Sequence, residues 1–289
     1  MGRVTARFPV ARVVVNDSAT GSGRVSVTRR PDSLSTEEPL EIRVNGSPLA
    51  VTMRTPGADV ALAHGFLLTE GVISDVTDVV TARYCDGAVV DDELGQPRNT
   101  YNVLDIRLGP QVPPPMVDPS RHFYTTSSCG VCGKASIDAI RQQVRWPVAD
   151  DPATFDPAIL VSLPDRLRQH QATFDRTGGL HAAALCTADG DIVHVAEDVG
   201  RHNAVDKVLG AALLAGDVPA RGHVMVVSGR SSFELTQKTL MGGIPALVAV
   251  SAPSSLAVEM ALEAGMTLTG FTRSPHMNVY AGAHRLGLI

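Results

Sequence analysis

Short runs with the period of strands open the chain. Val10–Val15, Arg24–Thr28 and Leu40–Val44 read as strands. The last alternates Leu40, Ile42 and Val44, meets Asn45-Gly46, and resumes as Leu49, Val51 and Met53, a strong hairpin signal. Thr55-Pro56-Gly57 stops it. Ala58–Glu70 then switches to helical spacing, with Val60, Ala63, Leu67 and Leu68 on one face, and Val76–Ala82 and Tyr101–Leu108 add strands around the acidic turn Asp91-Asp92-Glu93. Gly109–Pro119 carries five prolines and reads as a linker. Beyond it the pattern becomes alternating: helix Ala135–Arg145, a polar helical stretch around Pro164–Phe174, a hairpin of Ala182–Thr187 and Ile192–Ala196 turned by Asp189-Gly190, and helix Asn203–Ala215. Strand Val224–Ser228, helix Phe233–Met241, strand Ala246–Ser251, helix Ser255–Ala264 and strand Thr267–Phe271 complete it. The pattern predicts an α/β protein: a strand-rich N-terminal domain over residues 1–120, ending in the Pro-rich linker, then a mixed sheet with helices on its faces over 121–289.

Composition narrows the class. With 289 residues, 44% hydrophobic and 4% aromatic, the chain has material for a full core. A net charge of −5 offers no electrostatic footing for nucleic acid. No apolar run approaches the ~20 residues of a membrane span, and Met1–Val15 lacks the layout of a signal peptide. Four cysteines, with Cys85 and Cys186 isolated, make no disulfide framework, and the expected setting is a reducing cytoplasm. Only three of 25 basic residues are lysine: Lys134, Lys207 and Lys238. A chain so rich in arginine points to positions where a compact ammonium serves and a guanidinium fork does not.

Lys134 lies in the stretch most loaded with chemistry, Thr125-Thr126-Ser127-Ser128-Cys129-Gly130-Val131-Cys132-Gly133-Lys134. Ile137, Ile140 and Val144 behind it have helical spacing, so the C-x-x-C opens onto a predicted helix N-terminus. There partial positive charge lowers a thiol pKa from ~8.5 into the range of roughly 3.5–7.5. That predicts a sulfur nucleophile on a loop. Four later segments gather polar groups at strand ends, where ligands of α/β sheets bind. They are Thr177–His181, Glu197–Asn203 with Asp206 and Lys207, Ser228–Ser232 with Glu234 and Lys238, and Phe271–Asn278. Two are strand-to-helix turns with Gly, hydroxyls and Arg, suited to phosphate. None is a Walker loop or a G-x-G-x-x-G.

Plainer readings compete. One C-x-x-C is half a zinc site, with no second C-x-x-C or H-x3–5-H to complete it. A thioredoxin-like pair follows a strand, and here a Pro-rich segment precedes it. Zinc deaminases need Pro before the C-x-x-C and an upstream H-x-E; Ser128 precedes Cys129 and no H-x-E lies upstream. His181 and His202 also fit as core histidines, Glu197 and Asp198 as caps, Lys207 and Lys238 as solvated side chains, and Cys85 and Cys186 as buried hydrophobes. Seven polar or charged side chains within eleven residues from Glu197 exceed what capping requires.

As a set these residues resemble the formate dehydrogenase accessory sulfurtransferases, the FdhD type. The likeness runs through Met53–Gly57, Gly65–Leu67, Glu70-Gly71, the Cys129/Cys132 loop, Thr177–Gly179 with His181, Glu197–Asn203 with Asp206-Lys207, Ser228–Arg230, Ser251–Pro253 and Phe271–Tyr280. The resemblance implies persulfide transfer from a cysteine desulfurase to the molybdenum bis-guanine-dinucleotide cofactor of formate dehydrogenase. It also implies a C-terminal domain resembling cytidine deaminase without its zinc, and no metal held by the protein itself. Cys129 would carry the persulfide with Cys132 as helper, and Phe271, Thr272, Arg273, Ser274, Pro275 and His276 would bind the nucleotide part. Arg201, His202, Ser228 and Arg230 join that cofactor site, where Gly- and Ser-rich turns with Arg201, Arg230 and Arg273 suit the phosphates. Asp198 or Asp206 is a candidate for reading guanine N–H groups, and Phe271 for stacking on the base. Two guanine halves suggest a homodimer. A carrier or insertion chaperone without catalysis is the alternative.

Overall fold

One helix packs between the two larger of the four sheets that the described residues form. The computed structural model describes residues 3–16, 24–85, 89–91, 97–99, 102–113, 115 and 144–288. Strands β1 (Thr5–Asn16) and β2 (Arg24–Ser35) pair only with each other, in an antiparallel ribbon far longer than the alternation suggests. Strands β3 (Glu38–Val44), β4 (Ser47–Arg54), β5 (Val79–Tyr84) and β8 (Val103–Leu108) form a sheet of order β4-β3-β8-β5. The short pair β6 (Val89–Asp91) and β7 (Pro97–Asn99) stands apart. Asn45 and Gly46 turn the β3–β4 hairpin at φ 51° and 82°, the left-handed pair that a two-residue hairpin requires. Val76–Asp78, predicted as the start of a strand, is a single 3-10 turn instead. Asp75 and Asp78 cap each other's backbone there, a local bond that competes with the ladder.

Helix α1 (Asp59–Thr69) was expected to bury one face and buries nearly all of them. It is wedged between the four-stranded sheet and α4 (Arg201–Ala215), and glycines allow the approach. A Cβ at Gly65 would lie 1.8 Å from the Asp206 carbonyl oxygen, and one at Gly210 1.8 Å from that of Ala61, so the two backbones touch.

The second sheet has the order β10-β9-β11-β12-β13-β14. Its strands are β9 (His181–Cys186), β10 (Ile192–Asp198), β11 (Val224–Val227), β12 (Ala246–Ala249), β13 (Thr267–Arg273) and β14 (His276–Ala281). The β11–β12–β13 centre is parallel and the flanks antiparallel, which makes the sheet mixed as predicted. Strands β11 and β12 are apolar at every position because both faces are covered. Ala182, Ala184, Val224, Val226 and Val248 face α2 (Pro157–Gln169). Ala183, Leu185, Met225, Val227 and Leu247 face the opposite layer of α4, α5 (Phe233–Met241) and α6 (Ser255–Ala264). That second cluster continues through α1 into Leu40, Ile42, Leu104 and Ile106 of the first sheet.

The helix predicted around Pro164–Phe174 is two. Asp156 caps α2 with Pro157 in its first turn, and α3 (Ala172–Thr177) follows after a break. Strand β14 emerges from what looked like a polar cluster only. Most of the helix predicted over Ala135–Arg145 lies outside the described residues, and its last two, Val144 and Arg145, are not helical. The linker's later prolines likewise lie outside them, apart from Pro113 and Pro115.

Candidate functional site

Strand register brings the predicted segments to one edge of the six-stranded sheet. His181 pairs with Asp198 and Ala183 with Val227, which in turn pairs with Ala249. The start of β9 and the ends of β10, β11 and β12 therefore align, with the β13–β14 turn beside them. Backbone bonds join the turns: Ser228 N–H donates to Ala182 O, Ser251 N–H to Gly229 O, Ser254 N–H to Ser231 O, and Phe271 N–H to Ser251 O. Helices α4, α5 and α6 all begin at this edge, so the partial positive ends of three helices face it.

Two of those helices lack a side-chain cap: Gly200 precedes α4, and Ser232 precedes α5 without using its hydroxyl. Ser232 is only 7% exposed, and among the described residues its Oγ, Arg201 Nε and both ring nitrogens of His202 meet no acceptor or donor at hydrogen-bond distance. Buried donors left without partners within one turn of each other mark a place where something else accepts. His202 Nε2 stands 3.9 Å from Glu234 Oε2, too far for a direct hydrogen bond. His202 first, and Ser232 after it, nevertheless hold the Glu234 carboxyl below its ordinary value. Burial pushes the His181 pKa down, and the charges of Arg201 and His202 push it the same way. Arg201 is itself perturbed downward by burial and by Arg230. Cations crowd one spot. The arrangement suits an anion with several oxygens.

Alongside lies Phe271, 49% exposed, with its backbone in the left-handed region at φ 50°. That conformation costs a non-glycine residue about 1–3 kcal/mol. It is fixed from behind, where Gly270 meets Pro253 and Ser251 so closely that a Cβ would lie 2.9 Å from each. Arg273, Ser274, Pro275 and His276 are exposed, and Arg273 Nε donates to His276 Nε2 at 3.2 Å. Thr272 is fully buried, its hydroxyl 3.0 Å from that of Thr269, so it braces the turn from inside. Ser228 Oγ accepts from Ala182 N–H, and Arg230 is exposed.

The carboxylates expected to read guanine are engaged elsewhere. Asp198, 0% exposed, takes Lys207 Nζ at 2.7 Å, Thr55 N–H at 3.1 Å, Gly200 N–H at 2.8 Å and Asn203 Nδ2 at 3.0 Å. Lys207 also donates to Thr55 O, and Asn203 to Met53 O, so this clasp ties the Met53–Thr55 turn to α4. Asp206 takes Lys238 Nζ at 2.8 and 2.9 Å and the Thr69 hydroxyl at 3.1 Å. Lys207 and Lys238 are thus buried ion-pair lysines and not solvated ones. Glu197 caps α3, accepting from Thr173 and Phe174 N–H. Arg54 is 1% exposed and forks onto Asp59, which also accepts from Tyr84 OH.

Cys129, Cys132 and Lys134 lie outside the described residues. Burial pushes the Cys186 thiol up to about 12, which makes it inert; Cys85 is half-buried. Among the described residues no group of three or more His, Cys, Asp and Glu is placed to hold a metal ion. Nor is any described helix long and apolar enough to cross a membrane. Sequence reasoning held Ser232, Asn203 and Thr55 within its singled-out segments but gave none of them a role of its own. Ser232 had a signal, a hydroxyl just before a helix after a strand; Thr55 and Asn203 meet only through the fold.

Fold and edge define the class: a mixed α/β protein whose arginines, histidines and helix N-termini gather at one strand-end edge. The same overall fold is found in a protein from Desulfotalea psychrophila described as a formate dehydrogenase accessory protein, at TM-score 0.67 and 21% identity, covering 96% of this chain and 99% of that one. Residues 35–287 match the model of the FdhD/NarQ family, and the chain belongs to that family. Among its relatives, "Sulfur carrier protein FdhD" of Streptomyces coelicolor is 57% identical over 289 residues, 100% of this chain and 98% of the relative. The Mycobacterium tuberculosis protein of the same name is 56% identical over 260 residues, 90% and 94% of the two chains.

Proposed function

We propose that the protein is a sulfurtransferase of formate dehydrogenase maturation, acting in the cytoplasm as a homodimer. Its sulfur comes from a cysteine desulfurase, and its acceptor is the molybdenum bis-guanine-dinucleotide cofactor, bound as substrate. In the first step the Cys129 thiolate attacks the outer sulfur of the desulfurase persulfide. A new S–S bond forms on Cys129, the old one breaks, and the desulfurase thiolate leaves. Cys132 assists release toward the cofactor. Residues 121–289 are read as a cytidine-deaminase-like unit without that enzyme's zinc.

One observation carries the reading: the Arg201, His202 and Ser232 groups that make no hydrogen bond among the described residues, at two uncapped helix starts on the same sheet edge as the exposed Phe271 ring. Pyrophosphate oxygens would satisfy those donors while a guanine stacks on the ring. The names of the relatives support sulfur carriage. Intact mass after incubation with a cysteine desulfurase and cysteine tests the chemistry. A reductant-labile gain of sulfur mass in the wild type, absent in Cys129→Ala, is expected. No gain in either protein, with guanosine diphosphate binding intact, would leave a non-catalytic carrier in its place.

A further inference from the structure

The ribbon β1–β2 precedes the stretch matched by the family model, which begins at residue 35. Its register runs unbroken from Thr5↔Ser35 to Asn16↔Arg24, so cross-strand pairs alternate between its faces. Val13↔Val27 and Val15↔Val25 fall on one face, and these four valines are 55, 59, 64 and 59% exposed in the order Val13, Val27, Val15, Val25. Among the described residues no strand pairs with either outer edge of the ribbon. An isolated ribbon of this kind is marginal in water, and an apolar strip left bare marks a binding surface.

Charge says what covers it. Residues 1–35 hold six arginines and two aspartates, net +4 in a chain of −5, which leaves −9 for residues 36–289. Ribbon against ribbon in a second copy would oppose +4 to +4. The segment has no Trp or Tyr to settle at a lipid interface. A protein surface with carboxylates around an apolar strip complements it on both counts. The position of the arm says which protein. Ser35 Oγ donates to Thr177 Oγ1 at 2.9 Å, just before the Gly178-Gly179 turn that enters His181. The base of the arm therefore sits at the anion edge, and a protein that covers the valines, eight to ten residues further along β2 and roughly 27–34 Å away, must be large enough to span both.

We propose that the β1–β2 ribbon is the docking arm for the acidic, apolar-stripped surface of the dehydrogenase that takes up the sulfurated cofactor. This rests on the function proposed above. The test measures binding of the full chain to cofactor-free formate dehydrogenase of the same organism at low and high salt. Two variants are compared: Val13→Ser/Val15→Ser/Val25→Ser/Val27→Ser, which strips the face, and Arg12→Glu/Arg29→Glu/Arg30→Glu, which leaves the valines in place should the first disturb the ribbon. Wild-type binding that weakens with salt, and at least a tenfold loss (roughly) in each variant with guanosine diphosphate affinity unchanged, is expected. Variants that bind like the wild type overturn the arm. So does a wild type that takes up sulfur and nucleotide but ignores the dehydrogenase, and in that case the function stands. A wild type that takes up neither overturns both. Loss of dimer in the variants, or sedimentation of the wild type alone with phosphatidylglycerol vesicles, would reassign the face to a second copy or to a membrane.

Discussion

Helix α4 carries two kinds of polar residue within two turns. Arg201 and His202 present nitrogens that make no hydrogen bond among the described residues, with Glu234 Oε2 3.9 Å from His202 Nε2, while Asn203, Asp206 and Lys207 are held by partners on the Met53–Thr55 turn, β10, α1 and α5. In sequence these five residues, with Glu197 and Asp198 before them, form one dense polar block. In space the first turn reaches the open sheet edge, and the next turns inward where α1 crosses. Buried charges there must be paired, because an ion without a partner in the interior is far costlier than one at the surface. Pairing separates structure from binding where density does not.

The largest effects break the closed half. Asp198→Ala leaves Lys207 buried without its counter-ion, and Asp206→Ala does the same to Lys238. Each is expected to cost about 3–5 kcal/mol in urea unfolding. A loss under about 1 kcal/mol would mean the lysine reaches water and the clasp is not closed. Substitutions in the open half should behave inversely. Arg201→Ala and Ser232→Ala remove groups with no protein partner, so stability is expected to stay within about 0.5 kcal/mol. Guanosine diphosphate affinity by calorimetry should drop roughly tenfold or more for each, since a hydrogen bond to a charged group is worth about 1.5–3 kcal/mol. A stability loss without an affinity loss would turn the edge into another structural network. Phe271→Asn sharpens the point at smaller scale. Asn accepts the left-handed backbone more readily, so stability is expected to rise by up to about 1 kcal/mol while the nucleotide is bound less tightly.

Much of this was legible in the chain, for physical reasons. The Asn45-Gly46 hairpin, the buried strands β11 and β12, and the α5 and α6 spans follow from periods and turn residues that act locally. The order of polar segments at strand ends also placed Arg201, His202, Arg230 and Phe271 at one edge. What sequence withheld depends on elements far apart in the chain. Asp198 meets Thr55 across 143 positions and Lys238 meets Thr69 across 169, so no local pattern distinguishes a clasp from a ligand site. The intimacy of α1 and α4 was hidden for the same reason: Gly65 and Gly210 read as helix-weakening residues until their carbonyl neighbours are seen. Strand β14 carried a signal, Met277, Val279 and Ala281 alternating with His276, Asn278 and Tyr280, which the polar side chains of the segment masked.

Two histidines draw the comparison most finely. Burial lowers the pKa of both His64, inside α1 with its Nδ1 2.7 Å from Val60 O, and His181, at the open edge. A histidine lowered in the folded state binds its proton more readily when unfolded. Each therefore contributes stability that is complete above the ordinary value of 6.5 and is lost as pH falls below it toward the folded pKa. At His181 the charges of Arg201 and His202 add to the effect of burial, and an anion seated between them would cancel that part. Guanosine diphosphate is expected to raise the His181 pKa in an NMR titration and to leave His64 where it is. By linkage its affinity should then rise modestly as pH drops from 8 toward 6, and His181→Gln should flatten that slope while His64→Gln leaves it. Equal movement of both rings would show a change in global packing. Movement of His181 alone would place the ligand's charge at the first turn of α4, the half of the helix that the fold leaves unpaired.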